Sequence, residues 1–294
     1  MIKLIINIAE GILVFLVLFI LKLMGKKVAS NVCSYLFIKI GPLTKFNKVA
    51  VKNIKYVWPN LSNHKTKLII NGMWNNIGRN FGEFVHLKTY NPLSSKNTKI
   101  IGLKKLHKIN SNKKGIIFFS AHYGNWELGP IIIKKLGFEP LCIYRKSNNK
   151  FIEILIQKIR ATNANYAPKG DIGAKKSYLW LRKGKNLALL MDQKLNEGPY
   201  IPFLGKPAPT ANFIAELCLR MNLDIIPVKL ERTDNYNHII TFSDKLKMPS
   251  KKLSHSEKVK YILENINTVI SKWIAERPEQ WLWIHRRWPK KMYK

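Results

Sequence analysis

The sequence predicts an α/β fold: a single domain with a largely parallel central sheet flanked by helices, preceded by an N-terminal membrane-anchor helix. Two patterns indicate it. An apolar stretch near the N-terminus is long enough for a membrane helix, and further along the chain short apolar runs alternate with helical patterns. With 294 residues and 46% hydrophobic content, the chain can bury a large core. Because no internal repeat or Pro/Gly/Ser-rich linker interrupts it, we expect residues 1–24 to form the anchor and 25–294 one cytoplasmic domain.

The anchor segment, residues 4–23, contains three polar side chains, Asn7, Glu10 and Lys22. About 20 apolar residues make a helix of ~30 Å, which is the thickness of the bilayer core. A single-pass or deeply interfacial anchor is therefore the favoured interpretation. Two alternatives remain open. One is a cleaved signal peptide, and the other is a buried amphipathic helix, because Asn7 and Glu10 lie three residues apart and share one helix face.

The lysines around this segment predict its orientation. Lys22 lies at the end of the apolar run and Lys26 and Lys27 follow it, whereas only Lys3 and the amino terminus precede it. Positive charge is retained on the cytoplasmic side, so we expect the rest of the chain in the cytoplasm.

The three cysteines lie far apart and form no CxxC pair, which agrees with a reducing compartment and argues against a disulfide framework or a zinc site. We expect no metal and no cofactor.

The elements of the domain follow from the spacing of apolar residues. Residues 61–87 carry them three and four apart and predict a first long helix. Short apolar runs predict buried strands at 115–119, 141–144, 187–191, 225–228 and 238–242. Between them, helices are predicted at 151–161, 174–181 and 211–221. Ser254 and Glu257 form a capping box that opens a last helix, which stops before Pro278.

The charge balance favours a polyanionic partner. Lys+Arg total 51 against 17 Asp+Glu, a net charge of +34. Nucleic acid, an anionic membrane surface and an acidic protein all fit such a field. Only nine of the basic residues are Arg, the side chain favoured for bidentate reading of bases and phosphates, so part of the charge is compositional background.

Chemistry is expected at the carboxyl ends of the strands, where open α/β sheets form their ligand crevice. His122 follows the first buried strand, and Glu127 lies five residues later in a turn-rich passage. An acid at this distance can orient an imidazole that acts as a general base. No other histidine of the chain has an acid at this spacing. A histidine bonded only to a backbone carbonyl is the alternative. The motifs of serine hydrolases, P-loop nucleotide-binding proteins and zincins are absent from the sequence.

Four sequence blocks carry a resemblance to a known family. They are residues 121–127 (AHYGNWE), 191–194 (MDQK), 201–210 (IPFLGKPAPT) and 278–288 (PEQWLWIHRRW). In this order they resemble the lipid A biosynthesis lauroyl/myristoyl acyltransferase family, over nearly the whole chain. The departures are modest: Leu204 stands where the family often has Phe, and Trp281 where many members have Tyr.

The resemblance implies a glycerolipid-acyltransferase-like fold and an enzyme of the bacterial inner membrane. Such an enzyme moves a fatty acyl chain from acyl carrier protein to a 3-hydroxyacyl hydroxyl of a Kdo-bearing lipid A precursor. It also implies the His-x4-Asp/Glu motif, met here by His122 and Glu127 as the catalytic dyad. Because no well-placed Ser or Cys accompanies this pair, we expect direct transfer with no acyl-enzyme. Both implied substrates are anionic, which gives the basic surface a use.

Further residues are candidates for substrate binding. Arg145, Arg160 and Lys169 are expected to bind phosphate on the lipid or on the carrier's prosthetic group. Asp192 closes a predicted strand and is either a substrate ligand or a loop carboxylate capping the backbone that follows.

Arg286 belongs to a C-terminal run that mixes cations with tryptophans. This run either holds the lipid head group or membrane surface, or its tryptophans are core.

Two other functions remain open at this stage. A glycerolipid acyltransferase shares the histidine-acid motif but uses another acceptor. A membrane-tethered nucleic-acid-binding protein is favoured by charge alone and would not need His122. We expect no nucleic-acid partner.

Overall fold

The computed structural model describes residues 2–110, 114–161 and 163–293. Its centre is a seven-stranded sheet in the order β1-β9-β8-β2-β5-β3-β4, accompanied by a two-stranded hairpin, β6-β7. The strands are β1 Thr98–Ile101, β2 Ile116–Ser120, β3 Pro140–Tyr144, β4 Asn165–Pro168, β5 Asn186–Leu190, β6 Tyr200–Phe203, β7 Lys206–Pro209, β8 Asp224–Arg232 and β9 His238–Phe242. The predicted α/β fold with a largely parallel sheet is confirmed.

All neighbouring strands of the large sheet run parallel except β8 and β9, which form an antiparallel pair. Strand β2 lies in the middle, between β8 and β5, and each of its five residues is buried. Such a strand is covered by helices on both faces, which is why its sequence is a continuous apolar run.

Ten α-helices surround the sheet in the described part of the chain. They are α1 Ile2–Leu23, α2 Gly25–Ile40, α3 Lys45–Val57, α4 Asn63–Phe84, α5 Leu103–Asn110, α6 Leu128–Lys135, α7 Lys150–Arg160, α8 Asp171–Arg182, α9 Phe213–Met221 and α10 His255–Glu276. The capping box predicted at Ser254 and Glu257 is present, with each side chain bonded to the other residue's backbone. Asn149 caps α7 by accepting from the N–H groups of Phe151 and Ile152.

Two apolar cores lie on the opposite faces of the sheet. Alternating side chains of a strand point to opposite faces, and β2 shows this directly. Ile117 and Phe119 belong to the larger core, which includes α10, while Ile116 and Phe118 belong to the other, which includes α6.

The C-terminal tryptophans are core residues. Trp281, Trp283 and Trp288 are 1%, 0% and 0% exposed. Their neighbour Arg287 is also fully buried and donates to the carbonyl oxygen of Pro209 at 2.6 Å. Of the two interpretations of this run, burial under the fold is therefore the one that the structure supports.

Helix α1 is the one helix in the described residues that is long and apolar enough to cross a membrane. Its less exposed positions, Asn7, Gly11, Val14, Leu18 and Leu21, recur at three- and four-residue spacing. They form a single stripe along the helix, and the remaining surface of α1 is exposed.

Candidate active site

His122 lies in a tight turn just beyond the end of β2. Gly124 makes this turn possible, since its φ is +56° and a Cβ at this position would lie 1.7 Å from the carbonyl oxygen of Leu230. The side-chain amides of Asn76 and Asn80 both donate to the Gly124 carbonyl oxygen, at 2.9 and 2.6 Å. The backbone that carries His122 is thus fixed from two sides.

A buried ion pair supports the same turn from behind. Arg232, at the end of β8, donates to Glu83 of α4 at 2.8 Å, and Glu83 also accepts from the amide of Asn125 at 2.7 Å. Burial alone would raise the pKa of Glu83, but the facing Arg232 lowers it to about 2. The carboxylate is therefore charged and holds Asn125, three residues after His122.

The imidazole of His122 is bonded to Asp192. Nδ1 lies 2.9 Å from Oδ1 of Asp192, and the backbone N–H of His122 donates to Oδ2 at 3.0 Å. Asp192 follows β5, which pairs in parallel with β2 so that Ser120 lies opposite Leu190. Two residues that are 70 positions apart meet because the carboxyl ends of adjacent parallel strands share one edge of the sheet.

The environment keeps Asp192 ionised. Its side chain is 3% exposed, and burial alone would raise the pKa of the carboxyl. The facing imidazole, the indole N–H of Trp281 at 2.8 Å and the His122 backbone N–H instead hold the pKa well below its ordinary value. An ionised, fully bonded carboxylate fixes the imidazole in one orientation.

The second ring nitrogen of His122 faces the side chain of Gln193. Nε2 lies 3.4 Å from the amide nitrogen of Gln193, and the ring contacts Trp126 with 5.3 Å between centroids. When Nδ1 donates to Asp192, Nε2 carries the lone pair and accepts from the amide. This is the tautomer that a general base requires.

Glu127 does not occupy the position expected for it. Its carboxylate forms a bidentate pair with Arg160 of α7, with Nε donating at 3.0 Å and Nη2 bonded to the other oxygen. Burial alone would lower the pKa of Arg160, but Glu127 holds it above its ordinary value. The expectation that Glu127 orients the imidazole is wrong for this structure, because Asp192 holds Nδ1.

A cavity of about 280 Å³ opens beside His122. Its rim carries His122, Gln193, Glu127 and Arg160. The lining also includes polar side chains, among them Ser120, Tyr144, Arg145 and Tyr166, and apolar side chains from the sheet and α6, namely Phe118, Phe119, Pro130, Ile133, Ile143, Ala188, Leu189, Leu190, Val228 and Leu230. The imidazole therefore borders a cavity with both polar and apolar walls.

The other sequence-predicted substrate ligands are dispersed. Arg145 lines the cavity and also an adjoining polar cleft that runs from Tyr144 to Asn148. Lys169 is exposed and is absent from the described lining of either. Arg286 is exposed and lies over the ring of Tyr293, also outside the described lining. Asp192 is bonded to His122 instead of capping the backbone that follows it.

Sequence reasoning missed two residues of the site, Trp281 and Gln193. Gln193 had a usable signal, because it directly follows the strand-end residue Asp192. Trp281 lies in the sequence block 278–288, but nothing in the sequence places this block beside β5; the isolated bridge between Tyr123 and Trp281 brings it there. Within the described residues, no group of three His, Cys, Asp or Glu side chains is placed to hold a metal ion.

An imidazole beside a partly apolar cavity, on the strand ends of an α/β sheet, suits the transfer of a hydrophobic group to a hydroxyl. Such an arrangement fits the acyltransferase class. The chain belongs to the bacterial lipid A biosynthesis acyltransferase family, whose model matches residues 4–290. No curated protein sequence matches the chain.

Proposed function

We propose that this protein transfers a fatty acyl chain from acyl carrier protein to a 3-hydroxyacyl hydroxyl of a Kdo-bearing lipid A precursor. Family membership supports the acyl transfer and the lipid A pathway. The observation that carries the mechanism is the 2.9 Å contact between Nδ1 of His122 and Asp192 at the cavity rim. His122 is then the general base and Asp192 its orienting partner.

The proposed step is a single displacement at the thioester carbonyl. Nε2 of His122 takes the proton of the acceptor hydroxyl as its oxygen attacks, and the new carbon–oxygen ester bond forms. The carbon–sulfur bond then breaks, and the imidazolium returns the proton to the departing thiolate. The ionised Asp192 stabilises the imidazolium between these two events. The attack places negative charge on the carbonyl oxygen of the thioester. We assign the side-chain amide of Gln193, whose nitrogen lies 3.4 Å from Nε2 of His122, as a donor to this oxygen.

Direct transfer without an acyl-enzyme fits the other nucleophiles of the cavity. Cys142 lines it, but burial raises the pKa of this thiol to about 12, so it is protonated. Ser120 also lines the cavity, and its hydroxyl has no hydrogen-bond partner in the described structure and thus no base.

The cavity offers a place for the acyl chain, and the polar cleft one for phosphate. A hydrocarbon tail that packs on the apolar part of the lining gains the free energy of burial. Arg145 and Lys146 line the cleft and are its candidate phosphate ligands. Arg160, in contrast, is already neutralised by Glu127 and is better regarded as a positioning residue for the cavity wall.

The net charge of +34 suits both proposed substrates, because acyl carrier protein is acidic and the lipid carries phosphates and carboxylates. We assign residues 25–294 to the cytoplasm, at the inner membrane, where acyl carrier protein and the lipid precursor meet. The catalytic pair needs no cofactor in this scheme.

The experiment compares lipid A from cells that express the wild-type chain with lipid A from cells that express His122→Ala. Mass spectrometry should show the mass of one acyl group added by the wild type and not by the variant. The purified variant should stay folded but melt at a lower temperature, because it leaves the buried Asp192 carboxylate without one of its partners. A folded His122→Ala enzyme that still adds the acyl group would overturn the mechanism. Acylation of a lysoglycerophospholipid in preference to the lipid A precursor would overturn the acceptor.

A further inference from the structure

Helix α1 is fastened to α7 along most of its length. At its N-terminal part, the side-chain amide of Asn149 donates to the Asn7 carbonyl oxygen and to Glu10, both at 2.9 Å. One turn later, Gly11 packs against Phe151 so closely that a Cβ on the glycine would lie 2.6 Å from the Phe151 Cβ. Of the two polar side chains that raised doubts about a membrane helix, that of Glu10 is thus bonded to the domain.

The contact continues to the other end of the helix. Leu18 and Leu21 pack in one apolar cluster with Ile159 of α7 and Val85. His86 is bonded to the carbonyl oxygen of Leu21 at 3.2 Å. Residues 7 to 21 of a helix cover ~21 Å at 1.5 Å per residue, so α1 lies along the domain instead of projecting from it.

This placement conflicts with a membrane crossing. If α1 spanned the bilayer while docked, α7 would enter the hydrocarbon with Lys150, Lys158 and Arg160. A charged side chain at the bilayer centre costs about 2.5 to 3.5 kcal/mol even on insertion scales. Crossing would therefore require the whole contact with α7 to separate.

We propose that α1 lies in the plane of an anionic lipid surface while docked on α7, so that the protein is monotopic. An interfacial helix normally needs a polar face, and here the domain covers the stripe that includes Asn7, while Glu10 lies at the edge of this stripe and accepts from Asn149. The other faces are apolar and exposed: Leu13, for example, is 63% exposed and Phe15 50%. Lys3 and Lys22 are exposed at the two ends of α1. In an in-plane helix both ammonium groups lie at the depth of the lipid phosphates and can pair with them.

The proposal has a consequence for the site that rests on the proposed function. Asn149, which holds α1, directly follows Asn148, which lines the polar cleft next to the cavity. An in-plane α1 therefore brings this cleft to the membrane surface, and a lipid acceptor reaches His122 from the bilayer. The topology itself does not depend on the acceptor or the reaction.

The test measures the depth of α1 in vesicles of phosphatidylethanolamine and phosphatidylglycerol. Single cysteines replace the exposed residues Ile5, Leu13, Phe15, Ile20 and Leu23 of the full chain, and each carries a nitroxide label. Accessibility to oxygen and to a water-soluble nickel complex gives the depth of each label. The three native cysteines are buried, so the unsubstituted chain serves as the labelling control.

An in-plane helix places Ile5, Leu13 and Leu23, which share the face opposite the docked stripe, at nearly the same depth, about 5 to 10 Å below the head groups. A depth that rises to the bilayer centre at Leu13 and falls again toward Leu23 would overturn the proposal. So would labels shielded from both reagents with spin–spin broadening, because a second copy would then cover this face. Neither result would bear on the acyl-transfer reaction.

A matched pair of variants tests the contact with α7. Gly11→Leu places a side chain where Phe151 lies, whereas Ala9→Leu adds the same group at an exposed position. Ala9→Leu should keep the wild-type depth profile, and Gly11→Leu should change it. An unchanged profile in Gly11→Leu would show that docking on α7 does not hold the helix in the plane.

Discussion

The indole N–H of Trp281 donates to Oδ2 of Asp192 at 2.8 Å, the same oxygen that accepts the backbone N–H of His122. The other carboxylate oxygen is left for the His122 ring. The C-terminal segment thus fixes the rotation of a carboxylate that follows β5, and this carboxylate fixes an imidazole that follows β2. Three distant parts of the chain set one proton-transfer geometry before substrate arrives.

Replacing Asp192 by Asn should lower kcat/KM by at least ~10²-fold, the usual scale for loss of general-base function. The amide cannot stabilise the imidazolium, and its NH₂ group favours the wrong imidazole tautomer. Steady-state transfer of labelled acyl groups measures the effect. Trp281→Phe is the control, because it keeps the ring in the core and removes only one hydrogen bond; its loss should be smaller.

The double variant His122→Ala/Asp192→Asn sharpens this prediction. Residues that act as one unit are not additive, so the double variant should be no slower than His122→Ala alone. If the loss in the double variant equals the product of the two single losses, Asp192 does not act through His122. Near-normal turnover in a folded Asp192→Asn variant would lead to the same conclusion.

A second prediction concerns the ion pair between Glu127 and Arg160. Their side chains are 11% and 21% exposed, so Glu127→Ala leaves a largely desolvated guanidinium without its partner. Breaking such a pair costs about 3 kcal/mol or more, which thermal unfolding would detect. Activity should fall along with stability, since Arg160 lines the cavity.

The double variant Glu127→Ala/Arg160→Met separates this explanation from a direct role in catalysis. It removes both charges and fills part of the space, so stability should return toward the wild-type value. If Glu127 acts through Arg160, transfer should recover with it. A stable double variant as inactive as His122→Ala would instead make Glu127 part of the proton-transfer machinery.

The fold was largely predictable because buried parallel strands and amphipathic helices carry strong apolar patterns. The predicted strand at 115–119 corresponds to β2 and the predicted helix at 151–161 to α7, each within one residue at its ends. Strands β1, β4 and the hairpin β6-β7 were missed. They are four residues long, and several carry lysine or proline and are only half buried, so their periodicity is weak.

The partner of His122 could not be derived from spacing. Glu127 is near in sequence, but which carboxylate meets the ring depends on strand order, and only the adjacency of β2 and β5 brings Asp192 there. Sequence reasoning did place both His122 and Asp192 at strand ends, where ligand crevices form. It lacked the order of the strands, which arises from long-range packing.

A third prediction tests the apolar cavity as the acyl-chain site. Ala188 of β5 lines it, and Ala188→Phe would fill part of its volume of about 280 Å³. The preference among acyl donors should shift toward shorter chains, by about fourfold for each methylene excluded, since a buried CH₂ is worth ~0.8 kcal/mol. Competition between donors of different length, analysed by product mass, measures this.

Ala275→Phe is the matched control for this prediction. It adds the same ring at an exposed position of α10, away from the cavity lining, and should leave the chain preference unchanged. An unaltered preference in Ala188→Phe, with the ring accommodated and the enzyme folded, would place the acyl chain elsewhere.

A fourth prediction concerns stability below neutral pH. Burial lowers the pKa of His238 to about 3 and that of His285 to about 4, from an ordinary value of 6.5. Around His238, Arg232 and Lys26 oppose its protonation, while Glu83 and Asp234 favour it. As pH falls below about 6.5, the unfolded chain therefore binds protons that the folded protein does not.

The sign follows from this difference in bound protons. The stability contributed by the two neutral histidines is fully present above pH ~6.5 and is lost as the pH falls toward their folded-state pKa values. Each histidine contributes a slope of at most about 1.4 kcal/mol per pH unit. Chemical unfolding between about pH 5 and 7.5 measures this effect together with that of His86, whose pKa is also lowered by burial. Folded Glu83, with its pKa of about 2, stays ionised over this range.

The variant His238→Phe should flatten the slope. Both ring nitrogens of His238 are buried without a hydrogen-bond partner in the described structure, so an apolar ring of similar shape leaves none of its neighbours newly unsatisfied. His64→Phe, at an exposed position, should keep the wild-type slope. If the free energy of unfolding of the wild type stays constant from about pH 7 to 5, or if His238→Phe retains the full slope, His238 is not the group that couples folding to protons.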